Sequence, residues 1–310
     1  MPEVVFFRGA TGLNTRVDPA RLRYDPKTGV QDLAVAYNVD IDDTGRISRR
    51  KGFTQRVALS VHSLFAKDDI CLFVSGSGLY QLHADYSYSA LMNVMAGARM
   101  SYAAVNRQVY FVNGIDKGIF ENGAVSAWTL PASYVGPDTT REFSGPPNGS
   151  IVEFFNGRMY VIQANFAFFS EAFDYSRFDL ARGFLPFEEN ILMFRAVTDG
   201  IWVGTTKRIE FLAGNSPQEF HPISVADYPP VQYSDVALHG KLIQTQDGTP
   251  IVDISSGDSA ILWLSRQGIC YGGPSGVFQN LTQHKLATFP VGSTGSGVVI
   301  DGRYIGLIDP

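Results

Sequence analysis

The chain has 310 residues, 45% hydrophobic, 18% charged and 13% aromatic, with a formal net charge of −5. This is a globular composition with ample core-forming material, and its mildly acidic balance leaves no electrostatic footprint for wrapping duplex nucleic acid. No window approaches the roughly 20 apolar residues that span a bilayer, and MPEVVFFRGATGLNTR lacks the charged start and long apolar stretch of a signal peptide.

Helical periodicity is nearly absent. The only candidates are PARLRY (19–24) and a stretch near Leu91–Ala98. Apolar runs rich in β-branched and aromatic residues dominate instead, and the 31 glycines and 16 prolines suit tight connections between short strands. Six runs recur: Cys71–Val74, Val109–Val112, Met159–Ile162, Ile201–Gly204, Ile261–Leu264 and Tyr304–Leu307. Their first residues are 38, 50, 42, 60 and 43 apart. Polar turn residues precede each: Lys67-Asp68-Asp69, Asn106-Arg107, Asn156-Gly157, Asp199-Gly200, Gly257-Asp258 and Asp301-Gly302. Propeller blades repeat every 40–50 residues or so, so the 60-residue gap must hold an insertion, within 228–250.

The expected fold is therefore an all-β, six-bladed β-propeller forming a single domain over 1–310. Seven blades are the runner-up, if residues 34–57 make their own. The last repeat has room for two strands only, so the N-terminal EVVFFRGATGLNTRVD and NVDIDDTGRISRRKGF are expected to pair with the C-terminal strands and close the ring. A β-sandwich pair or an irregular all-β fold is the competing reading, since WD and kelch signatures are both missing. Projecting excursions are expected near 131–150 and 163–190.

No motif carries chemistry. DIDDTG (40–45) has Lys51 where a calcium loop needs its bidentate Glu, and reads as a polar hairpin turn. The five histidines stand singly, and no cysteine lies near one. Cys71 and Cys270 read as free buried thiols at equivalent places of two repeats, compatible with a reducing cytoplasm. Glu188-Glu189 lacks a defined second carboxylate for glycoside hydrolysis. SSGDSAILW (255–263) has Ser, Asp and Trp of a sialidase-type box but not its Gly. Phosphate loops and nucleophile elbows are missing. No cofactor, no metal and no catalysis are expected.

Two stretches stand out as interface candidates. GRISRRKGF (45–53) gathers Arg46, Arg49, Arg50 and Lys51, either as a charged edge strand or as a docking patch for an acidic partner. Residues 163–190 hold more aromatics than one blade can bury, among them Phe173, Tyr175 and Phe178. Aromatics mixed with Arg have the composition of interfaces, with local packing as the equal alternative.

NVDIDDTGRISRRKGF, FFSEAFDYSRFD and GIWVGTTKRIEFLAGNSPQEF resemble the β-propeller tail stabilisation, hub or nozzle proteins of short-tailed bacteriophages. The resemblance implies a virion structural protein in a homo-oligomeric ring, a hexamer. Its partners would be adaptor and portal-side tail proteins and fibre or needle proteins. DNA would pass through the channel without sequence-specific binding during genome ejection. It implies a place in the virion tail, assembled in the host cytoplasm. A glycan- or receptor-binding propeller, or a glycoside hydrolase, is the alternative.

Overall fold

The computed structural model describes residues 9–22, 24–25, 29–42, 44–131, 141–239, 243–244, 250–252, 258–287, 289, 292–300 and 303–309. These residues are all-β, interrupted by two 3-10 turns, Pro19–Arg21 and Pro274–Gly276. Pro19–Arg21 falls inside the first expected helix. The second does not form: Leu91 to Asn93 end a strand.

Antiparallel sheets follow one another along the chain. Sheet I comprises His62–Lys67, Ile70–Ser75, Gly78–Leu82 and Tyr88–Asn93. Sheet II comprises Ser101–Val105, Gln108–Val112, Lys117–Glu121 and Ala124–Ser126. Sheet III has Ile151–Phe155, Arg158–Gln163, Phe166–Glu171 and Asp174–Phe178, with Phe184–Pro186 also paired to its third strand. Sheet IV has Ile191–Val197, Gly200–Thr205, Ile209–Ala213 and His221–Ala226. Sheet V has Val236–His239, Ser259–Ser265, Gly268–Gly272 and Phe278–Asn280. The expected insertion is the small ladder Ile243–Gln244 with Pro250–Val252, set between the first two strands of sheet V. Sheet VI has two strands, Thr294–Ile300 and Arg303–Asp309.

All six recurring runs are the second strands of these sheets, and Val109–Val112 shows why they are apolar throughout. Successive side chains of a strand leave opposite faces. Val109 and Phe111 enter a core shared with Leu72 and Val74 of sheet I, while Tyr110 and Val112 meet Val152, Met159 and Val161 of sheet III. Sheets III and IV share a core around Tyr160 and Phe194, and sheets IV and V one around Trp202 and Trp263. A sheet covered on both faces needs a continuous apolar run rather than alternation. A fully buried residue such as Phe111 contributes about 1.5–3 kcal/mol through its burial.

The expected closed propeller, of six blades or seven, is not found among the described residues. Among the described residues no N-terminal strand pairs with a C-terminal one. Gly9–Leu13 lies parallel to Val30–Leu33, and Val39–Ile41 pairs with Ile47–Arg49. Strand hydrogen bonds are thus used locally at the N-terminus, and residues 1–8 lie outside the described residues. The two ends meet through loops and side chains instead: Thr15 N–H donates to Lys285 O at 2.8 Å, and Arg303 stands 3.8 Å from Asp40.

Candidate functional site

The first strands of the sheets converge on one cavity of about 900 Å³. Its wall runs through residues 61–66 at sheet I, 99–102 at the start of sheet II, Ile151 of sheet III, 192–195 of sheet IV, Tyr233 and 235–238 at the start of sheet V, and 296–299 of sheet VI, with Ile305 and Leu307 of its second strand. Most of this wall is apolar. Its polar groups are few and held in place by named contacts.

On the sheet V side, the turn Val231–Ser234 does the positioning. Ser234 Oγ donates to Val231 O at 2.6 Å and accepts from Leu264 N–H at 2.9 Å, while Tyr304 Oη donates to Ser234 O at 2.7 Å. Gly295 N–H donates to Gln232 O. Pinned to sheets V and VI, this turn presents Tyr233, at φ 67°, and Asp235 to the cavity. On the sheet I side, Ser63 Oγ accepts from Met100 N–H at 2.8 Å and lies 2.9 Å from His62 Nδ1. That contact fixes the entry into sheet II, where Arg99 sits.

Two guanidinium groups face this space. Arg195 donates to Asp235 Oδ2 through Nε and to Glu153 Oε2 through Nη1, the latter at 3.0 Å. Burial works against its charge, but Asp235 and Glu153 outweigh it and raise its pKa. Burial also pushes the Glu153 carboxyl up, with Arg195 opposing. The three residues bridge sheets III and IV and the turn before sheet V. Arg99 lies with its guanidinium carbon 5.5 Å from the Tyr233 ring centroid and Nη2 3.3 Å from Asp309 Oδ2. Burial, and then the Arg99 charge, lowers the pKa of His62.

A second, smaller groove of about 280 Å³ contains Glu188 and Glu189. Arg208 Nη2 binds Glu188 and lies 3.2 Å from Glu189 Oε2, and Lys207 Nζ lies 3.2 Å from Glu189 Oε1. Partial burial pushes the Glu189 carboxyl up, but the bonds from Lys207 and Arg208 carry it below its usual value. An ionised carboxylate on a guanidinium is a poor proton donor, so this pair does not build a general acid. In the 40–45 turn, Asp42 Oδ1 accepts from Thr44 N, Thr44 Oγ1 and Arg46 N, as a polar hairpin turn requires. No cluster of three or more His, Cys, Asp or Glu side chains able to hold a metal occurs among the described residues. Residues 253–257, which include the start of SSGDSAILW, lie outside them.

None of the interface candidates lines the cavity. Arg46, Arg49, Arg50 and Lys51 are exposed, with Arg50 Nε 3.2 Å from Asp40. Phe178 is fully buried beside Trp128, so it packs inside this chain. Tyr175 is half-buried, edge-on to Phe154 and Tyr110, and its carbonyl accepts from Trp128 Nε1 at 3.0 Å. Phe173 alone of the three is well exposed, at 81%. The aromatic excursion is the outer part of sheet III, where one strand pairs with two others in succession. Arg141 locks it by binding Asp179 at 2.9 Å and Glu171 at 2.5 Å. Residues 132–140 of the other excursion lie outside the described residues. Cys71 and Cys270 are free, but their places are not equivalent: Cys71 is half-buried in a second strand, Cys270 buried in a third.

No protein-family model matches the sequence, and no curated protein matches it either. Solved structures do. A streptogramin B lyase is similar at 12% identity over 81% of this chain and 76% of that one, with a TM-score of 0.45. The extracellular domain of the hybrid two component system BT4673 from B. thetaiotaomicron is similar at 11% identity and a TM-score of 0.45, over 83% of this chain and 32% of that one. The WD40 domain of Doa1 is similar at 12% identity over 71% and 68%, with a TM-score of 0.41.

The expected tail hub or nozzle subunit is corrected with the fold it rested on: the closed propeller is missing among the described residues. The expectation of no catalysis does not stand either, because missing motifs exclude no chemistry.

Proposed function

We propose that this chain is a binding module that takes a glycan in the cavity where the first strands converge. The observation behind this reading is the make-up of that cavity: apolar walls around a small set of fixed polar groups, Arg99, Tyr233, Asp235 and Arg195. Concave apolar sites with a few convergent polar groups are the usual form of ligand pockets. A sugar ring offers an apolar C–H face and a rim of hydroxyls. Tyr233 supplies a ring for the face, and carboxylate and guanidinium groups match the hydroxyls. Because neighbours already hold these groups, little ordering cost remains on binding.

Isothermal titration calorimetry of the full chain against neutral and acidic oligosaccharides tests this. At least one glycan should bind, and Tyr233→Ala should weaken it by about tenfold, or about 1.4 kcal/mol. No binding across the panel, or unchanged binding in a folded Tyr233→Ala chain, would overturn the reading. Release of reducing ends in the same incubations would make the module a hydrolase.

A further inference from the structure

Resting on that reading, we infer that the glycan carries a carboxylate and that Arg99 receives it. Of the two guanidinium groups in the cavity wall, Arg195 already has two carboxylate partners, Asp235 and Glu153. Arg99 has a single carboxylate contact among the described residues, Asp309 at 3.3 Å, and that carboxylate is 55% exposed and 3.2 Å from Thr294 Oγ1. A guanidinium has five N–H donors in a fixed fork. Arg99 lines the cavity, and among the described residues only its Nη2 is engaged, by Asp309, which leaves other N–H donors for a ligand. The Tyr233 ring, with its centroid 5.5 Å from the Arg99 guanidinium carbon, lies beside this fork. A sugar acid, with its ring toward Tyr233 and its carboxylate on Arg99, uses both groups at once.

Matched pairs of probes test the inference: oligogalacturonate against its methyl ester, and sialyllactose against lactose. Calorimetry on the full chain should show at least one acid binding about tenfold tighter than its neutral partner. Arg99→Gln should abolish that preference, and Arg99→Lys should retain part of it. Asp309→Asn, which removes the competing carboxylate, should raise acid affinity a few-fold. Thermal melts confirm that each variant is folded. Equal binding of acid and neutral partners, or a preference that survives Arg99→Gln, overturns the inference and leaves the glycan reading standing. Binding of no glycan at all overturns both.

Discussion

Asp32, 7% exposed, accepts from Thr11 and from Asn14 Nδ2 at 2.7 Å, and lies 3.6 Å from Lys285. It ties the N-terminal strands to the segment after sheet V. Burial pushes its carboxyl up, but the bonds from Thr11 and Asn14 and the Lys285 charge carry it below its ordinary value of 3.8. A carboxylate depressed in the folded state stabilises fully above its unfolded pKa and loses that contribution as pH falls through the folded one. Asp32→Asn should therefore cost about 1–3 kcal/mol near neutral pH, and the gap to wild type should narrow below pH 3.8. Urea unfolding across that range measures it; a gap independent of pH would refute the account. The aromatic pair at 173 and 178 divides just as sharply. Phe178→Ala should cost about 3–5 kcal/mol, as a buried aromatic does. Phe173→Gly should be neutral or stabilising, because Phe173 is exposed and sits at φ 59°, where glycine is unstrained. The sequence could not separate the two. Both lie in one aromatic run, and only the turn at 172–173 decides which one faces inward.

At the scale of elements, the second strands were the legible part, because burial on two faces leaves an unbroken apolar run. Their turns were legible too: Asp68, Asn106 and Asn156 precede them at φ 53°, 56° and 43°, the left-handed region that Asn and Asp tolerate best after glycine. Asn106→Gly should leave stability nearly unchanged, whereas Asn106→Val should cost about 1–3 kcal/mol through forced backbone strain. Equal unfolding midpoints for the two variants would show that this turn is not under constraint. The outer strands were harder to read. Tyr88–Asn93 is half exposed, so its apolar residues follow no clean period, and the stretch beginning at Leu91 passes for a helix. The cavity was illegible for another reason. Arg99, Arg195, Tyr233 and Asp235 are far apart in sequence and carry no motif. The convergence of first strands assembles them, and a run of apolar residues says nothing about which strands converge.

At the scale of the molecule, closure was the reading that failed, and the physics of edges explains the failure. Counting strands showed that sheet VI would be short, and pairing with the N-terminus was the economical remedy. The N-terminal strands instead satisfy one another: Gly9–Leu13 uses its edge on Val30–Leu33, and Ala10 N–H donates to Gly45 O at 2.8 Å. Sheet VI keeps two strands, with Ile300 49%, Ile305 39% and Leu307 65% exposed. Sheets II to IV, covered on both faces, have second strands that are almost wholly buried. Local opening free energy follows the buried contacts of each element. Amides of Arg303–Asp309 should thus exchange with solvent at least about 100-fold faster than those of Tyr110–Val112 and Tyr160–Ile162, the ratio expected for an opening about 2.7 kcal/mol easier. Hydrogen exchange read by mass spectrometry resolves these segments. A sugar acid seated on Arg99 touches the contact with Asp309 and should change protection at the end of sheet VI while leaving sheet III unaffected. Equal protection of sheets III and VI in the free chain would mean that the open end is covered after all, and the cavity would then have to fill from another side.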